Sequence, residues 1–490
     1  MIYDVAVVGA GIVGSSIARE LSRYDIKICL IEKENDVSCG TSKANSGIIH
    51  AGYDPEPGTL MAKFNVEGCA MFEKLSQELH FDYKRVGSLV VGFSEEDMQH
   101  VQKLYERGKK NGVPDLRILS QDELRKFEPQ IGEDALGALY APTAGIISPY
   151  QATWAIAENA VQNGVKLFLQ AEVHSIEQKD GLFLLNTGKG VIQCRYLVNA
   201  AGLYSDRVSA MAGGRSFAIK PKSGEYCLLD SNCRNLANHV LFQTPSTAGK
   251  GVLVTPTVDG NILIGPSAGD NSSREDTSTT REGQALILEK GSKTIPGIPV
   301  RNIINSFCGN RAIAFNKDEN GVVTERIGDF IVEQDAKVKN LFQAAGIASP
   351  GLTAAPAIAV YMCGLLKKAG LEMKENRDFV PVRKGIKKFS TASAEDKYHL
   401  IEENPLYGRI ICRCEMITEA EIVAATHSVI GATDLDGVKR RTRSGMGRCQ
   451  GGFCSPRITE IISRELGIPM TAVTKNGGYS YILCDRTREN

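Results

Sequence analysis

The strongest constraint on this chain is its opening stretch, "YDVAVVGAGIVGSSIARELSRYDIKICLIEK". "DVAVVGA" is apolar after its aspartate, the pattern of a strand covered on both faces. "GSSIARELSRY" sets Ile17, Ala18 and Leu21 on one helical side, and "KICLIEK" returns to strand. Together they form a βαβ unit. Gly9, Gly11 and Gly14 fall at the strand-to-helix turn. The first permits the tight turn, the second lets backbone approach a pyrophosphate, and the third lets helix and strand pack closely. The phosphates then meet a helix N-terminus. Glu32 ends the second strand, where a carboxylate suits a ribose with a free 2′-OH and disfavours a 2′-phosphate. The unit is predicted to bind a dinucleotide.

At 490 residues the chain exceeds one core, so two or three domains are expected. Its 42% apolar and 23% charged residues, with 49 glycines, fit an α/β protein. A formal net charge of zero gives no global argument for nucleic acid or an anionic membrane. The sequence enters a strand at once, with no basic segment or cleavage site, so no secretory signal is expected. Residues 341–366 carry no charge and could span a bilayer by length. However, "GIASPG" and Pro356 divide them into a short strand near 341–345, a turn and a helix, and no transmembrane segment is predicted. Of 13 cysteines, nine, such as Cys29, Cys69, Cys194 and Cys363, read as small buried residues of a reducing cytoplasm.

The segment after Glu32 argues for FAD over NAD. It is rich in small polar residues, and Thr41, Ser42, Asn45, Ser46 and Gly47 can give N–H groups and hydroxyls to a second stretch of cofactor. Two more strand–glycine-turn–helix motifs follow: "LVNAAGLYSD", with Ala201 and Gly202, and "LFQAAGIASPGLTAAPAIA", with Gly346, Gly351, Leu352 and Thr353. No second GxGxxG occurs, so a pyridine nucleotide has no evident site of its own.

Across residues 1–370 these motifs resemble the FAD-dependent oxidoreductases of the D-amino-acid oxidase and glycerol-3-phosphate dehydrogenase superfamily. The resemblance implies a Rossmann-type FAD domain with an inserted mixed-sheet substrate domain, here expected from about 80–145 and 206–305. It also implies that the last motif lays a helix N-terminus against the pyrimidine end of the flavin, where the dipole stabilises negative charge. His50, in "IIHAGY", can take the hydroxyl proton of an alcohol. Arg311, in "CGNRAIAF", can grip a carboxylate or phosphate. Lys63 is a candidate second anion contact, and Lys222 and Tyr226 are further substrate candidates. The resemblance implies oxidation of a small anionic secondary alcohol. The tail favours sn-glycerol 3-phosphate, giving dihydroxyacetone phosphate. "NSGIIHAGYDPEPGTLMAKFNVEG" also resembles the L-2-hydroxyglutarate oxidases and dehydrogenases, which keeps that substrate open.

Residues 371–405 are charged and read as an irregular linker draped over the first domain. Residues 406–490 form a small domain expected to be α-helical. Thr418 and Glu421 make a capping box there. Cys412 and Cys414 form C-x-C, and Cys449 and Cys454 form C-x4-C. Four thiolates suit zinc or an iron–sulfur cluster. The flanks "GRIICRCE" and "RTRSGMGRCQGGFCSPR" resemble the bacterioferritin-associated-ferredoxin-like [2Fe–2S] domain, and the wider C-x4-C resembles copies fused to flavoproteins. Lys439, Arg440, Arg441, Arg443 and Arg448 are expected to crowd Cys449 and offset the cluster's negative charge. The thiols then serve as an electron exit toward a partner, by resemblance a second flavoprotein subunit. A cytoplasmic protein is expected, membrane-peripheral only through that partner. An oxygen-using oxidase with a structural zinc tail is the other reading.

Overall fold

The computed structural model describes residues 1–244 and 251–485. The parts of the expected 206–305 and 406–490 blocks at 245–250 and 486–490 lie outside the described residues. The apolar run at the start forms the strand Ile2–Val8, central in a mixed sheet whose middle strands are parallel. It pairs in parallel with Ile28–Ile31 on one side and Gly190–Asn199 on the other. Lys166–Phe168 extends the sheet beyond the former, and Leu341–Ala345 beyond the latter. The helices Ile12–Leu21, Leu60–Leu79, Pro149–Gln162 and Gly351–Lys368 pack together on this sheet, with Ile17, Leu21, Phe64, Trp154 and Ile358 in the shared core. The uncharged run divides as expected into Leu341–Ala345 and the helix from Gly351. No helix among the described residues is long and apolar enough to cross a membrane.

A second, mostly antiparallel sheet roofs the first. Its order is Val323–Arg326, Ile303–Lys317, Phe217–Leu229, Ile262–Gly265, Leu253–Pro256, Val240–Gln243, Ser88–Gly92, Gly137–Ala141, Arg117–Ser120. The roof runs past residue 305, because Ile303–Lys317 pairs along its length with Phe217–Leu229. That strand carries Arg311.

The segment 371–405 does lie along the first domain. Asp25 N–H donates to the Lys374 carbonyl at 2.8 Å, and Asn376 N–H to the Arg23 carbonyl at 2.8 Å. It is not wholly irregular: Ala394–Glu403 is a helix, capped by the Ser393 side chain. The tail adds a short hairpin, Ile410–Cys412 with Ile417–Thr418, to the helices Glu419–Thr426, Leu435–Thr442 and Ser455–Leu466. The Thr418–Glu421 capping box is formed. Ile417, Ile422, Val438, Ile458 and Ile462 fill a small core of its own.

Buried charge locks this module to the first domain. Arg441 donates to both oxygens of Asp36, at 2.7 and 2.8 Å, and Arg440 donates to Asp36 at 2.6 Å. The Trp154 ring meets the guanidiniums of Arg383, 3.9 Å from its centroid, and Arg441, at 5.1 Å. Arg383 pairs with buried Glu158, which also accepts from Ile430 N–H at 3.2 Å. Arg443 ties the module to the roof through Asp259 at 2.6 Å and Asn261 at 3.2 Å, and holds Glu415 at 2.9 Å.

Burial pushes the Asp36 carboxyl up, but the two guanidiniums outweigh it and hold the group at about 2, against an ordinary 3.8. Its contribution is therefore complete above pH 3.8 and is lost only as pH falls through about 2. Asp36→Asn strands two buried cations, at a cost of about 3–5 kcal/mol. A urea midpoint lowered for the variant at pH 7, and a parent midpoint in which this pair's contribution stays intact down to pH 4, check both statements.

Candidate active site

The glycine turn is shaped by contact. Gly9 has φ +104°, and a Cβ there would lie 2.5 Å from the Ala200 carbonyl oxygen. A Cβ on Gly14 would lie 1.9 Å from the Gly9 oxygen, so only glycine lets the helix sit this close. Gly11 stands beside the Ser42 hydroxyl, which accepts from Ile12 N–H at 2.9 Å. The N-cap residue Gly11 has no side chain to cap this helix, so beyond the N–H taken by Ser42 its N-terminus is available to an anion. Glu32 accepts from Ala10 N–H at 2.8 Å and Glu34 N–H at 3.0 Å. Burial pushes its carboxyl up, and those two N–H groups partly oppose the shift.

The loop from Thr41 to Gly47 is held from above. Thr41 donates to the Asn310 carbonyl at 2.6 Å. Asn45 bonds the carbonyls of Thr41 and Ser42 and accepts from Gly47 N–H. A Cβ on Gly309 would sit 1.9 Å from the Ala44 oxygen, so the roof strand rests directly on this loop. Ser46 hydrogen-bonds Tyr226, which stacks on Phe307 at 4.9 Å. Burial pushes the Tyr226 phenol up to about 12, and Arg311 and Ser46 pull the other way.

Between the two sheets lies a cavity of about 610 Å³. Gly9, Gly11, Glu32, Thr41, Ser42, Asn45, Ser46, Ala201, Gly202, Gly351 and Leu352 line it, together with His50, Tyr226 and Arg311. The backbone of His50 is fixed: its N–H donates to the Thr353 hydroxyl at 2.9 Å, and its carbonyl accepts from Asn65 at 2.8 Å. Its ring lies 5.7 Å from that of Phe242. The helix from Gly351 also lacks a side-chain cap and opens on the cavity.

Some expected residues stand behind the wall. Gly14, Gly47, Gly346 and Thr353 shape it without lining it; Thr353 is buried and also donates to the Ile48 carbonyl. Lys63 does not reach the cavity. It sits on the helix Leu60–Leu79, with its ammonium 5.3 Å from the Tyr361 ring. Lys222 also lies outside, 4.0 Å from Asp270. Sequence reading missed Phe242, Gln243, Arg274 and Arg440 in the lining. Arg274 is bidentate on Asp206, at 2.7 Å to each oxygen. Phe242 sits in an ordinary apolar strand and Arg274 belongs to no local pattern, so no sequence signal marked them, while Arg440 stood out only as part of the basic run before Cys449.

The four tail thiols pair two by two. Cys414 and Cys449 have sulfurs 3.8 Å apart, and Cys412 hydrogen-bonds Cys454. That bond to Cys454 pulls the Cys412 thiol down to about 6 and pushes its partner up. Among the described residues no three His, Cys, Asp or Glu side chains gather to hold one ion. Four neighbouring thiols are a soft donor set that would hold an iron–sulfur cluster. The residues therefore fit a [2Fe–2S] cluster. The basic run does not serve the thiols as expected. Arg440 and Arg441 turn to Asp36, Arg443 to Asp259 and Glu415, and Arg448 to Asp230. Backbone N–H groups meet the sulfurs instead: those of Gly445 and Glu415 reach Cys412, and those of Phe453 and Gly451 reach Cys449. Of the nine other cysteines, Cys39 is half-buried, Cys484 is exposed and the rest are buried.

A glycine-turn parallel sheet, a roofed cavity with a histidine and an arginine, and a two-by-two thiol module define a flavin-type oxidoreductase with an iron–sulfur appendage. Residues 4–365 match the family described as FAD dependent oxidoreductase, and the chain belongs to it. Residues 410–464 match the BFD-like [2Fe-2S] binding domain. The chain is 48% identical to a glycerol 3-phosphate dehydrogenase of Caloramator mitchellensis, over 99% of both chains. It is 33% identical to a glycerol 3-phosphate oxidase of Mycoplasma genitalium, covering 77% of this chain and 97% of that one. A solved structure of dithionite-reduced L-alpha-glycerophosphate oxidase from Mycoplasma pneumoniae, with FAD bound, superposes with a TM-score of 0.72 at 30% identity. It covers 78% of this chain and 98% of that one.

Cys454→Ala removes a buried thiol from one pair. The expected product keeps its flavin absorbance but loses cluster absorbance and the signal of the reduced cluster in electron paramagnetic resonance (EPR). Iron and flavin assays on one preparation check this.

Proposed function

We propose that this chain oxidises the secondary alcohol of sn-glycerol 3-phosphate to dihydroxyacetone phosphate and delivers the electrons to a partner protein. The observation that carries the substrate is the likeness to a glycerol 3-phosphate dehydrogenase along the whole chain, tail included. When bound, FAD supplies a hydride acceptor and the [2Fe–2S] cluster a one-electron carrier. Arg311 holds the phosphate dianion by charge-assisted hydrogen bonds. Tyr226 is a neutral donor beside it, since its phenol stays protonated across the physiological range. His50 takes the hydroxyl proton as the carbon gives up its hydride, so the alcohol loses two electrons and two hydrogens and leaves as a ketone. The backbone bonds from Thr353 and Asn65 hold His50 for this role. The roof sheet covers the reacting carbon and excludes bulk water.

The electrons leave through the tail. Cys414 is exposed, and Phe453 beside Cys454 is 87% exposed. A second flavoprotein subunit docked there is the acceptor we assign. Contact with a membrane runs through that partner, and the free thiols suit a cytoplasmic setting.

Anaerobic titration of the full chain with sn-glycerol 3-phosphate, and separately with L-2-hydroxyglutarate, tests the substrate. Flavin bleaching and a reduced-cluster EPR signal are expected with the phosphate alone. Bleaching by the dicarboxylate alone, or by neither when dithionite reduces the flavin, overturns the reading. His50→Asn is expected to slow flavin reduction by about 10²–10⁴-fold. Arg311→Met is expected to raise KM by about 10- to 100-fold, from the loss of a charged hydrogen bond. Stopped-flow absorbance at several substrate concentrations separates the two effects.

A further inference from the structure

The cysteine module does more than stand beside the flavin fold: it reaches into its cavity. Arg440 and Asn476 both belong to the module, and both line the cofactor cavity. Arg440 is only 7% exposed. Its Nη2 donates to Asp36. No acceptor among the described residues meets its Nε or Nη1, yet neither atom is among the sealed polar atoms without a partner. With the side chain so little exposed, these donors open on the cavity it lines.

The local charge is unbalanced. Asp36 is shared, since Arg441 already takes both its oxygens. Asp434 is the other carboxylate near Arg440, and it accepts from Asn35 at 2.5 Å and from Gly437 N–H at 2.5 Å. Asp436 adds a third carboxylate, against Arg440, Arg441, Lys439, Lys43 and Lys475. A buried cation with unmet donors calls for an anionic partner. The stretch it faces is the cofactor loop, where Cys39 and Lys43 line the same cavity. This loop joins Glu32, at the ribose position, to Ser42, at the phosphate-binding helix N-terminus.

We propose that Arg440 is a cofactor-binding residue supplied by the cysteine module, its Nε and Nη1 donating to the adenosine-side phosphate of FAD. The module thereby completes the flavin site, and cofactor retention and module docking are linked. By reciprocity, whatever factor docking adds to FAD affinity, FAD adds to docking. The inference rests on the flavin fold and not on the substrate, so a failed substrate titration leaves it standing.

The test is FAD affinity of full-length protein stripped of flavin, measured by quenching of flavin fluorescence, with iron content recorded on each sample. Arg440→Gln is expected to weaken FAD binding by about 10- to 100-fold. ADP as a competing probe should weaken by the same factor and FMN by less than twofold, with iron unchanged. FAD binding within twofold of the parent overturns the proposal, and so does an equal loss for FMN. Should Arg440→Gln lose its cluster, Arg440→Lys decides. It keeps the charge opposite Asp36 but not the second donor, so weaker FAD binding with full iron supports the proposal and parent-like binding overturns it. Hydrogen exchange gives a readout free of turnover: FAD should slow exchange across 435–443 in the parent and not in the Arg440→Gln protein.

Discussion

The assembly depends on one buried carboxylate, Asp36, and the arginines that meet it. Asp36 follows the second strand of the nucleotide-binding unit, and Arg440 and Arg441 come from a helix of the tail. Isolated, any of these charges would be too costly to bury. Paired, and with Arg441 also donating to the Ile430 carbonyl, they are tolerated. The chain's one tryptophan adds a flat surface that two guanidiniums cover from the linker and from the module. Such an interface contributes specificity more than net stability, because each charge fits only one geometry. It holds the thiols at a fixed position relative to the flavin cavity, which a carrier of single electrons requires.

The cavity is a second consequence of close approach. The roof strand Ile303–Lys317 presses on the cofactor loop through Gly309, and its neighbour brings Tyr226 down onto Ser46. One rigid strand therefore presents Arg311 while covering the flavin side of the loop. His50 comes from below, on backbone fixed by Thr353 of the last helix. These three cavity groups thus lie on separate parts of the chain, and the packing of sheet on sheet sets their spacing.

In the tail, the negative charge of thiolates is met by the peptide backbone. Turns around Gly445 and Gly451 aim N–H groups at Cys412 and Cys449. Backbone donors are fixed in place and need no side-chain ordering, so the basic residues nearby are left to dock the module. Arg443 shows the division of labour. It holds Glu415, next to Cys414, and at the same time reaches Asp259 of the roof.

The sequence by itself determined what is local. The βαβ unit, its glycine turn, the acid at Glu32, the split of the uncharged run and the Thr418 capping box all follow from spacing within a few turns of chain. The four cysteines were legible as a set, because nothing else needs thiols at C-x-C and C-x4-C. Tertiary structure alone decided which cations meet which anions. Lys63 and Arg311 were alike as anion-binding candidates, yet one sits against Tyr361 outside the cavity and the other inside it. The basic run before Cys449 looked like a counter-charge for the thiols, yet it faces Asp36, Asp259 and Asp230, residues far away in sequence. The reason is physical. Hydrophobic period and turn chemistry act over short stretches and can be read along the chain, whereas a long charged side chain finds its partner only after distant segments have packed.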